Sequence, residues 1–270
     1  MRAPDKLPST DCYVAFLDIL GFKDIVLAHS HEHLKSTYEG FCEAIRQGLS
    51  NEKHVLSDNG ETESIAPDIR QATVNSLLVS DSILIWTDDN AAESFSNIVK
   101  AVRSLLAFSL NQTILLRGAI AIGPLTTLLT QWPSQTHNIQ CSLFGKAVVA
   151  AVEAEKKQEW CGCEITETAI ECYKKNCSNG ESLIKSGLIL RYPVPRKNEE
   201  TNGWVIDWVN HHQVGIDTRT VENAFVLSLS KNPSPEEREK IKRKLTNTLN
   251  FVKHVKAQKN QAFTSWRRAY

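Results

Sequence analysis

Two aspartates lie where a carboxylate is costly unless it has a task. Asp18 falls inside the apolar run 13–20, which has the length and flanks of a buried strand. Asp81 follows Ser80 between two apolar segments, as at the tip of a β-hairpin, although taken alone it equally fits a simple turn. Two carboxylates at one site repel each other unless a cation lies between them, and Mg²⁺ and Mn²⁺ prefer such oxygen ligands. The pair therefore predicts a divalent-metal site.

The turn that follows Asp18 has the features of a phosphate-binding turn. Leu20, Gly21 and Phe22 pass from the strand into a helix, and N–H groups at a helix start are free to bind an anion. Gly21 has no side chain to keep a phosphate away from the backbone. A metal pair beside such a turn is an arrangement for phosphoryl or nucleotidyl transfer.

The order of elements indicates how the two aspartates meet. Apolar spacing predicts strands at 13–20, 72–79, 83–86 and 114–122, the last closed by Gly123-Pro124. Helices are predicted at 23–28, 34–49 and 91–109. This order is β-α-β-β-α-β, the ferredoxin-like α+β fold, in which the first and third strands are neighbours. The sheet would bring both carboxylates to one edge region.

The remainder of the chain predicts a catalytic domain over 1–180 and a C-terminal extension over 181–270. An exposed, polar loop is expected at 51–68, and 125–138 has no clear pattern. Further predicted elements are helices at 146–158 and 169–175, short strands at 164–166 and 204–208, a loop from 191, and a long amphipathic helix from Pro235 to about residue 258.

Four segments resemble, in the family order, the motifs of class III adenylate and guanylate cyclases. They are FLDILGF (16–22), VSDSILIW (79–86), LRGAIAIG (116–123) and LFGKAVVAAVEAE (143–155), which correspond to the first metal motif, the metal-binding hairpin, the next strand and the dimer-arm helix. The resemblance covers roughly 13–165. It implies that Asp18, Ile19 and Asp81 hold two Mn²⁺ ions per site, with Mg²⁺ as a possible substitute. It also implies a nucleoside triphosphate substrate and a homodimer with composite sites.

The departures from these motifs concern the nucleobase and the transition state. Leu77 and Ser142 stand where adenylate cyclases have a lysine and an aspartate that read adenine, so adenine is disfavoured. An asparagine and a transition-state arginine of the same family are replaced by Val149 and Glu153.

Two basic residues are candidates for the missing cation. Arg117 and Lys146 are the catalytic residues that the motifs leave available. The plainer alternatives are a surface ion pair for Arg117, solvation for Lys146 and an ordinary small polar position for Ser142.

A narrower resemblance is to the bacterial pyrimidine cyclases of the Pycsar antiphage defence system. The segments YPVP (192–195), the strand around Trp208 and KLTNTLNF (244–251) resemble that branch. It implies a cytoplasmic, Mn²⁺-dependent homodimer that makes cyclic UMP from UTP after phage infection. The messenger then activates an effector that the enzyme does not contact. UTP is favoured over CTP because it is the commoner substrate there.

Three alternatives to a uridylate cyclase stay open. The first is a cytidylate cyclase that makes cyclic CMP from CTP. The second is a degenerate cyclase fold that binds a nucleotide as a sensor without chemistry, which Val149 and Glu153 favour. The third is a purine cyclase with rearranged base contacts.

Composition excludes other classes of protein. Thirty-one basic residues balance 31 acidic ones, so no overall field draws the chain to nucleic acid or to an anionic membrane. The first ten residues lack the apolar core of a signal peptide, and no apolar run is long enough to span a bilayer, so a cytoplasmic location is expected. The seven cysteines are odd in number and irregularly spaced, so free thiols fit better than a zinc site at 161–177.

Overall fold

The computed structural model describes residues 10–50, 53–58, 63–131, 139–177, 182–197, 200–227 and 233–269. The strands are β1 (Thr10–Ile19), β2 (His54–Asp58), β3 (Glu63–Pro67), β4 (Asn75–Val79), β5 (Ser82–Trp86), β6 (Leu116–Gln131), β7 (Ile139–Gly145), β8 (Gly162–Ile165), β9 (Ile189–Pro195) and β10 (Glu200–Ile206). The helices are α1 (Phe22–Ala28), α2 (His31–Leu49), α3 (Ala92–Asn111), α4 (Lys146–Lys157), α5 (Glu167–Asn176), α6 (Ser182–Lys185), α7 (Thr218–Leu227) and α8 (Pro235–Ala269).

The main sheet has the predicted ferredoxin-like centre. Its strand order is β4-β5-β1-β6-β8-β10-β9, with β7 paired to β6. Its centre consists of β4, β5, β1 and β6, which lie side by side in that order. In chain order these are the second, third, first and fourth of the four strands, and each is antiparallel to its neighbours. Helices α1 and α2 connect β1 to β4, and α3 connects β5 to β6. The α+β, ferredoxin-like prediction is therefore confirmed.

The pairing register positions the end of β1. Asp18 lies opposite Ser82 of β5 on one side and opposite Arg117 of β6 on the other. Directly opposed residues share a face of the sheet and lie within about 5.5 Å at their Cβ atoms. The register therefore brings an acid, a hydroxyl and a guanidinium together on one face.

The two faces of β1 meet different partners because side chains alternate along a strand. Tyr13, Ala15 and Leu17 are buried in the larger core with α2 and α3, and the Tyr13 ring lies 4.9 Å from that of Phe95. Cys12 and Val14 face the opposite way and form a smaller core with Ala147 of α4, together with Leu125. Asp18 belongs to this second series, so it opens on the α4 side of the sheet.

The C-terminal segment joins the same sheet and the same core. Strands β9 and β10 continue the sheet beyond β8, and α8 places Phe251 against Trp160 and Trp208, all three fully buried. The division at residue 180 stays a prediction. The strand and the long helix expected in the extension are present. The strand is shifted to Glu200–Ile206 and excludes Trp208, and the helix extends over Pro235–Ala269.

The loop predicted at 51–68 is wrong for its described part. Strands β2 and β3 pair as a two-stranded antiparallel sheet, with Val55 opposite Ala66 and Leu56 opposite Ile65. Ile65 is 74% exposed, so no burial pattern marks this hairpin among its polar neighbours. Residues 51–52 and 59–62 of that prediction, and 132–138 of the segment without a clear pattern, lie outside the described residues.

Proline misled two further predictions. The predicted loop at 191–196 is strand β9, which tolerates Pro193 and Pro195 because it is the outer strand of the sheet and only one side must donate hydrogen bonds. The stop at Gly123-Pro124 is also wrong, because β6 continues to Gln131. Beyond Leu125, opposite the first residue of β1, β6 takes β7 as its partner instead.

A membrane-spanning segment has no candidate among the helices that the structure describes, since none is both long and apolar enough to cross a bilayer.

Candidate active site

Asp18 is a half-buried carboxylate at the penultimate position of β1. The Ser82 hydroxyl donates a 2.9 Å hydrogen bond to its Oδ1. Burial raises the pKa of Asp18 above its ordinary value, and the negative charge of Asp81 raises it further. The Ser82 hydrogen bond and the cations Arg117 and Lys156 oppose this rise in pKa without cancelling it. The charge on Asp18 is therefore incompletely compensated by the protein.

Asp81 lies in the two-residue turn between β4 and β5, next to the end of β1. Its carbonyl oxygen accepts a 3.0 Å hydrogen bond from the Ile19 N–H, which ties the hairpin tip to the strand that carries Asp18. Ser80 has a left-handed backbone (φ 55°), and its carbonyl accepts a hydrogen bond from the Tyr38 hydroxyl of α2. The two aspartates predicted to meet do so, and Ile19 lies between them.

The turn after β1 matches its predicted shape only in part. Gly21 adopts a left-handed conformation (φ 77°, ψ 15°), which glycine reaches without strain, and α1 begins at Phe22. The Leu20 N–H, however, donates to the Leu115 carbonyl at 2.8 Å. The expectation of a free Leu20 N–H is wrong, because this group continues the pairing of β1 with the segment before β6. Gly21 and Phe22 stay predicted phosphate contacts, next to a helix of only seven residues.

Arg117 lies beside Asp18 but is already engaged. Its guanidinium forms an ion pair with Glu155 of α4, and Nη1 donates to the Gln158 carbonyl at 2.8 Å. Burial raises the pKa of Glu155, and Arg117 opposes that rise. Three of the five N–H donors of a guanidinium are used here. The plainer alternative for Arg117 is a surface ion pair, and an ion pair is present, although it is buried. A contact between Arg117 and a phosphate stays a prediction.

Sequence reasoning missed two residues next to Asp18. Ser82 is found only through the β1–β5 register, which the sequence does not state. Lys156 is an exposed residue of α4 whose charge lowers the pKa of Asp18, so it lies close enough to interact with that carboxylate. Nothing in the local spacing distinguishes it from the solvated lysine Lys157.

Lys146 and Ser142 lie at the other end of the sheet from Asp18. The Lys146 side chain starts beside Gly123, which is six residues along β6 from Arg117; this corresponds to about 20 Å of strand. Ser142 pairs with Leu128, still farther along β6. One protomer does not bring these two predicted residues to the aspartates.

Other motif positions lie on exposed or half-exposed surfaces. Val149, 57% exposed, and the exposed Glu153 are carried by α4. Leu77 is half-buried on β4, opposite Leu84 of the metal hairpin. Leu77 therefore shares the hairpin with Asp81 but contributes no polar group to it.

The paired aspartates fit a metal ion that is shared with a ligand. No group of three or more His, Cys, Asp or Glu side chains in the described part of the chain forms a metal cage. Mg²⁺ and Mn²⁺ nevertheless bind through one or two carboxylates, with water and phosphate oxygens as the other ligands. Burial, followed by the charge of Asp81, raises the pKa of Asp18, and a cation bound at the two acids would oppose that rise.

Two cysteines of the segment considered for a zinc site, Cys161 and Cys163, make contacts with backbone carbonyls. The Cys161 thiol donates to the Leu116 carbonyl at 3.1 Å, and the Cys163 thiol to the Glu164 carbonyl at 3.5 Å. Burial raises the pKa of Cys161 to about 12 and also raises the pKa of Cys163, which favours the thiol form of both side chains.

Comparison with known proteins adds a fold-level likeness. Neither a protein-family model nor a curated protein matches the chain. Among solved structures, a bacterial light-regulated adenylyl cyclase matches with a TM-score of 0.48 at 11% identity, over 83% of this chain and 58% of that one. The adenylyl cyclase CyaB from P. aeruginosa gives 0.47 at 13% identity, over 75% and 96%. The guanylyl cyclase Cya2 gives 0.42 at 12% identity, over 74% and 92%. Similarity at this level carries no argument about activity.

Proposed function

We propose that this protein is a metal-dependent nucleotide cyclase that converts UTP into 3′,5′-cyclic UMP and pyrophosphate. The observation that carries the proposal is the meeting of Asp18 and Asp81 at one end of a ferredoxin-like sheet, joined by the hydrogen bond from Ile19 to Asp81. The four cyclase-like motifs support it, because each falls on the kind of element expected of it: β1 and its turn, the β4–β5 hairpin, strand β6, and helix α4.

The chemistry is an intramolecular displacement. The ribose 3′-oxygen forms a bond to the α-phosphorus, the bond from that phosphorus to the β-phosphate oxygen breaks, and the hydroxyl proton passes to solvent. Two divalent ions bound at the aspartates would lower the pKa of the 3′-hydroxyl and neutralise phosphate charge.

The chain itself supplies position. Asp18, Ile19 and Asp81 would hold the ions, and Ser82 fixes the Asp18 carboxylate by hydrogen bonding to Oδ1. Gly21 and Phe22 approach the phosphates from the turn. Holding the hydroxyl and the phosphorus in line removes much of the entropic barrier to ring closure.

The site needs a second copy of the chain to be complete. Within one protomer Lys146 starts about 20 Å along β6 from Asp18 and Ser142 lies farther away, so they reach a site only if the partner supplies them. The α4 side of the sheet offers a surface for this. Phe16, Leu84 and Trp86 on that side are half-buried, while Phe144 and Val149 are 50% and 57% exposed. A homodimer through this face would cover apolar surface and join the two halves.

The choice of a pyrimidine rests on the base-reading positions. Leu77 and Ser142 carry no charge, so they do not supply the lysine–aspartate pair that reads adenine. UTP is favoured by resemblance to the Pycsar pyrimidine cyclases, and the same resemblance supports a cytoplasmic role in antiphage defence. A cytidylate cyclase making cyclic CMP from CTP is the nearest alternative, since one hydrogen-bonding group distinguishes the two bases.

A nucleotide sensor without chemistry is the second candidate. The specific observation in its favour is that Arg117 is held by Glu155, while Glu153 puts a negative charge where a cation would be useful. Cyclisation then depends on Lys146 of the partner or on Lys156. The sensor would bind a triphosphate and metal and release it unchanged.

One experiment separates these functions. The purified protein is incubated with Mn²⁺ and each of UTP, CTP, ATP and GTP, and the products are identified by mass spectrometry, with the Asp81→Asn variant as a control. Cyclic UMP and pyrophosphate in equal amounts are expected from the natural protein alone. Cyclic CMP would shift the proposal to the cytidylate cyclase, and a cyclic purine nucleotide would reject the pyrimidine assignment. Binding of UTP without any product would establish the sensor.

A further inference from the structure

A cavity lies beneath the turn that follows Asp18, and neither Asp18 nor Asp81 lines it. It has a volume of about 680 Å³ and lies between α1 and α2, with the segment before β6 and the end of α7 closing its sides. Small-molecule sites fall in the range of roughly 300–1,000 Å³. Its walls are mainly apolar, with Phe22, Ile25, Leu34, Phe41 and Ile114 among them.

The mouth of this cavity carries exposed apolar side chains. Of the nine large apolar residues exposed in the described part of the chain, Val26, Leu27, Val226 and Leu227 belong to the two helices at the mouth. Val26 and Leu227 also line the cavity itself. A concentration of exposed apolar surface at an apolar cavity marks a binding site rather than ordinary surface.

The polar side chains at the cavity are mostly basic. His31, His33, Lys35 and Arg46 line it, against the single acid Glu39. Lys35 lies 3.9 Å from Glu39, with both side chains more than 60% exposed, and such a pair contributes little stability. Arg46 pairs with Glu43 on its own helix. Both cations therefore have an acid beside them, but the exposed Lys35–Glu39 pair is weak enough to be exchanged for a ligand carboxylate, and His31 and His33 add ring N–H donors at the mouth.

We propose that this cavity binds a small amphiphile of fatty-acid type, with its chain among the apolar walls and its carboxylate at the basic mouth, and that binding changes metal affinity at the aspartates. The cavity itself is independent of the proposed cyclase activity, whereas its effect on the metal site rests on that function.

The link to the aspartates runs through three wall residues. Ile19 lines the cavity, follows Asp18 directly and donates its N–H to the Asp81 carbonyl. Tyr38 lines it too, and its hydroxyl donates to the Ser80 carbonyl beside Asp81. Phe22 begins the helix after the predicted phosphate turn. A ligand that fixes these three side chains also fixes the backbone on which the metal site is built.

Binding is tested first without metal or nucleotide. Isothermal titration compares decanoate with decylamine on the natural protein and on the Leu34→Trp variant, whose indole would fill the cavity. The Ile65→Trp variant, which alters an exposed apolar residue on β3, is the matched control. Decanoate is expected to bind the natural protein and Ile65→Trp alike, and to lose at least tenfold in affinity on Leu34→Trp. If circular dichroism shows Leu34→Trp to be unfolded, Cys42→Phe, at a half-buried wall position, replaces it.

The effect on the metal site is tested by titrating Mn²⁺ with and without saturating decanoate. A coupling between two sites of this kind corresponds to roughly a fivefold change in affinity or more. Failure of decanoate to bind, equal binding to the filled variant, or decylamine binding as tightly as decanoate would overturn the ligand assignment. Decanoate binding with unchanged Mn²⁺ affinity would overturn the coupling. Because the first titration contains no nucleotide, its outcome is independent of whether any triphosphate is cyclised.

Discussion

At the scale of single residues, the candidate site opposes stability. The pKa of Asp18 is raised by burial and by Asp81, so its ionised form is less favourable in the folded protein than in the unfolded chain. Its contribution is therefore unfavourable above the raised pKa and vanishes as pH falls through it. A residue with this sign is a candidate for a role other than folding.

The Asp18→Asn variant should separate function from stability. The amide keeps an oxygen that can accept from Ser82, and it removes the buried charge and its repulsion with Asp81. We expect loss of Mn²⁺ binding and of any cyclase activity, with a thermal midpoint that is unchanged or raised. Asp89→Asn is the matched control. The Ser94 hydrogen bond lowers the pKa of Asp89, so losing that charge should lower the midpoint and leave metal binding intact. Undiminished Mn²⁺ binding by Asp18→Asn would refute the metal assignment.

His211 gives the protein a pH dependence away from the site. Its ring is buried and bonded to the Ser104 hydroxyl at 3.0 Å, and burial, followed by the charge of Arg103, lowers the pKa of His211 to about 4. The unfolded chain takes up a proton near its ordinary value of 6.5, but the folded protein does so only near 4. Stability is therefore expected to fall as pH drops from 6.5 towards 4, by at most about 1.4 kcal/mol per pH unit from this group.

Urea unfolding at several pH values between 7 and 4.5 tests this. The slope should be smaller in His211→Gln, which cannot charge, and unchanged in His54→Gln, whose histidine is exposed. Identical slopes in all three proteins would show that His211 is not the group that titrates.

At the scale of elements, α4 is anchored to the sheet by one buried ion pair. Glu155 is 2% exposed and lies against Arg117, and the Gln158 side chain donates to the Gly118 carbonyl at 2.9 Å. The buried residues Ala119 and Ala121 of β6 carry only methyl side chains, so they leave room for the helix to pack on the sheet. The helix that carries Val149 and Glu153 is thus fixed directly beside Asp18.

Breaking this pair should cost more than breaking an exposed one. Arg117→Met leaves the Glu155 carboxylate buried without its partner, and a loss of about 3 kcal/mol is expected. Arg46→Met, which breaks the exposed pair with Glu43, should cost less than about 1 kcal/mol. The double variant Arg117→Met/Glu155→Leu should regain most of the loss, because it leaves no buried charge. Chemical denaturation measures all three, and a double variant no more stable than Arg117→Met would contradict the account.

How far the sequence predicts each element depends on how far burial shapes its pattern. The strand containing Asp18, the metal hairpin and α3 have continuous or periodic apolar residues, and all three were predicted within a few residues. Strands β2 and β3 lack that signal, because their hairpin lies outside the core. Edge strand β9 was missed because proline is incompatible with a central strand but not with an outer one.

The site divides in the same way. Asp18 could be found because an acid inside an apolar run is unusual, and Asp81 because the apolar segments on either side mark it as the tip of a hairpin. Their meeting follows from the fold. Ser82, Lys156 and the Arg117–Glu155 pair depend on the exact register and on the packing of α4, which no local spacing expresses. The Leu20 N–H is likewise unavailable to a phosphate because of a single long-range hydrogen bond, to the Leu115 carbonyl.

At the scale of the whole molecule, the hydrophobic core extends across the predicted domain boundary at residue 180. Trp160 and Tyr192 stack at 5.7 Å across that boundary, and Phe251 of α8 contacts both rings. Phe251→Ala should therefore cost about 3–5 kcal/mol. A fragment ending at residue 180 should fail to show a cooperative thermal transition by circular dichroism. A fragment that unfolds cooperatively would instead establish residues 1–180 as an independent domain.

The composite site makes a prediction that only a dimer can fulfil. Asp18→Asn removes the metal side of a site and Lys146→Ala removes the residue that we assign to the partner side, so each homodimer should be inactive or nearly so. In a mixed dimer, the unchanged Asp18 of one protomer meets the unchanged Lys146 of the other, and one of the two sites is intact. Random exchange at equal concentrations should restore about a quarter of the natural activity, since half the dimers are mixed and each has one working site.

A mixture of Asp18→Asn with Asp81→Asn should restore none, because both changes fall on the metal side and each protomer damages its own metal site. Activity measured after co-refolding of each pair decides the matter: absence of rescue in the first mixture, or rescue in both, would contradict the proposed sharing of residues between protomers.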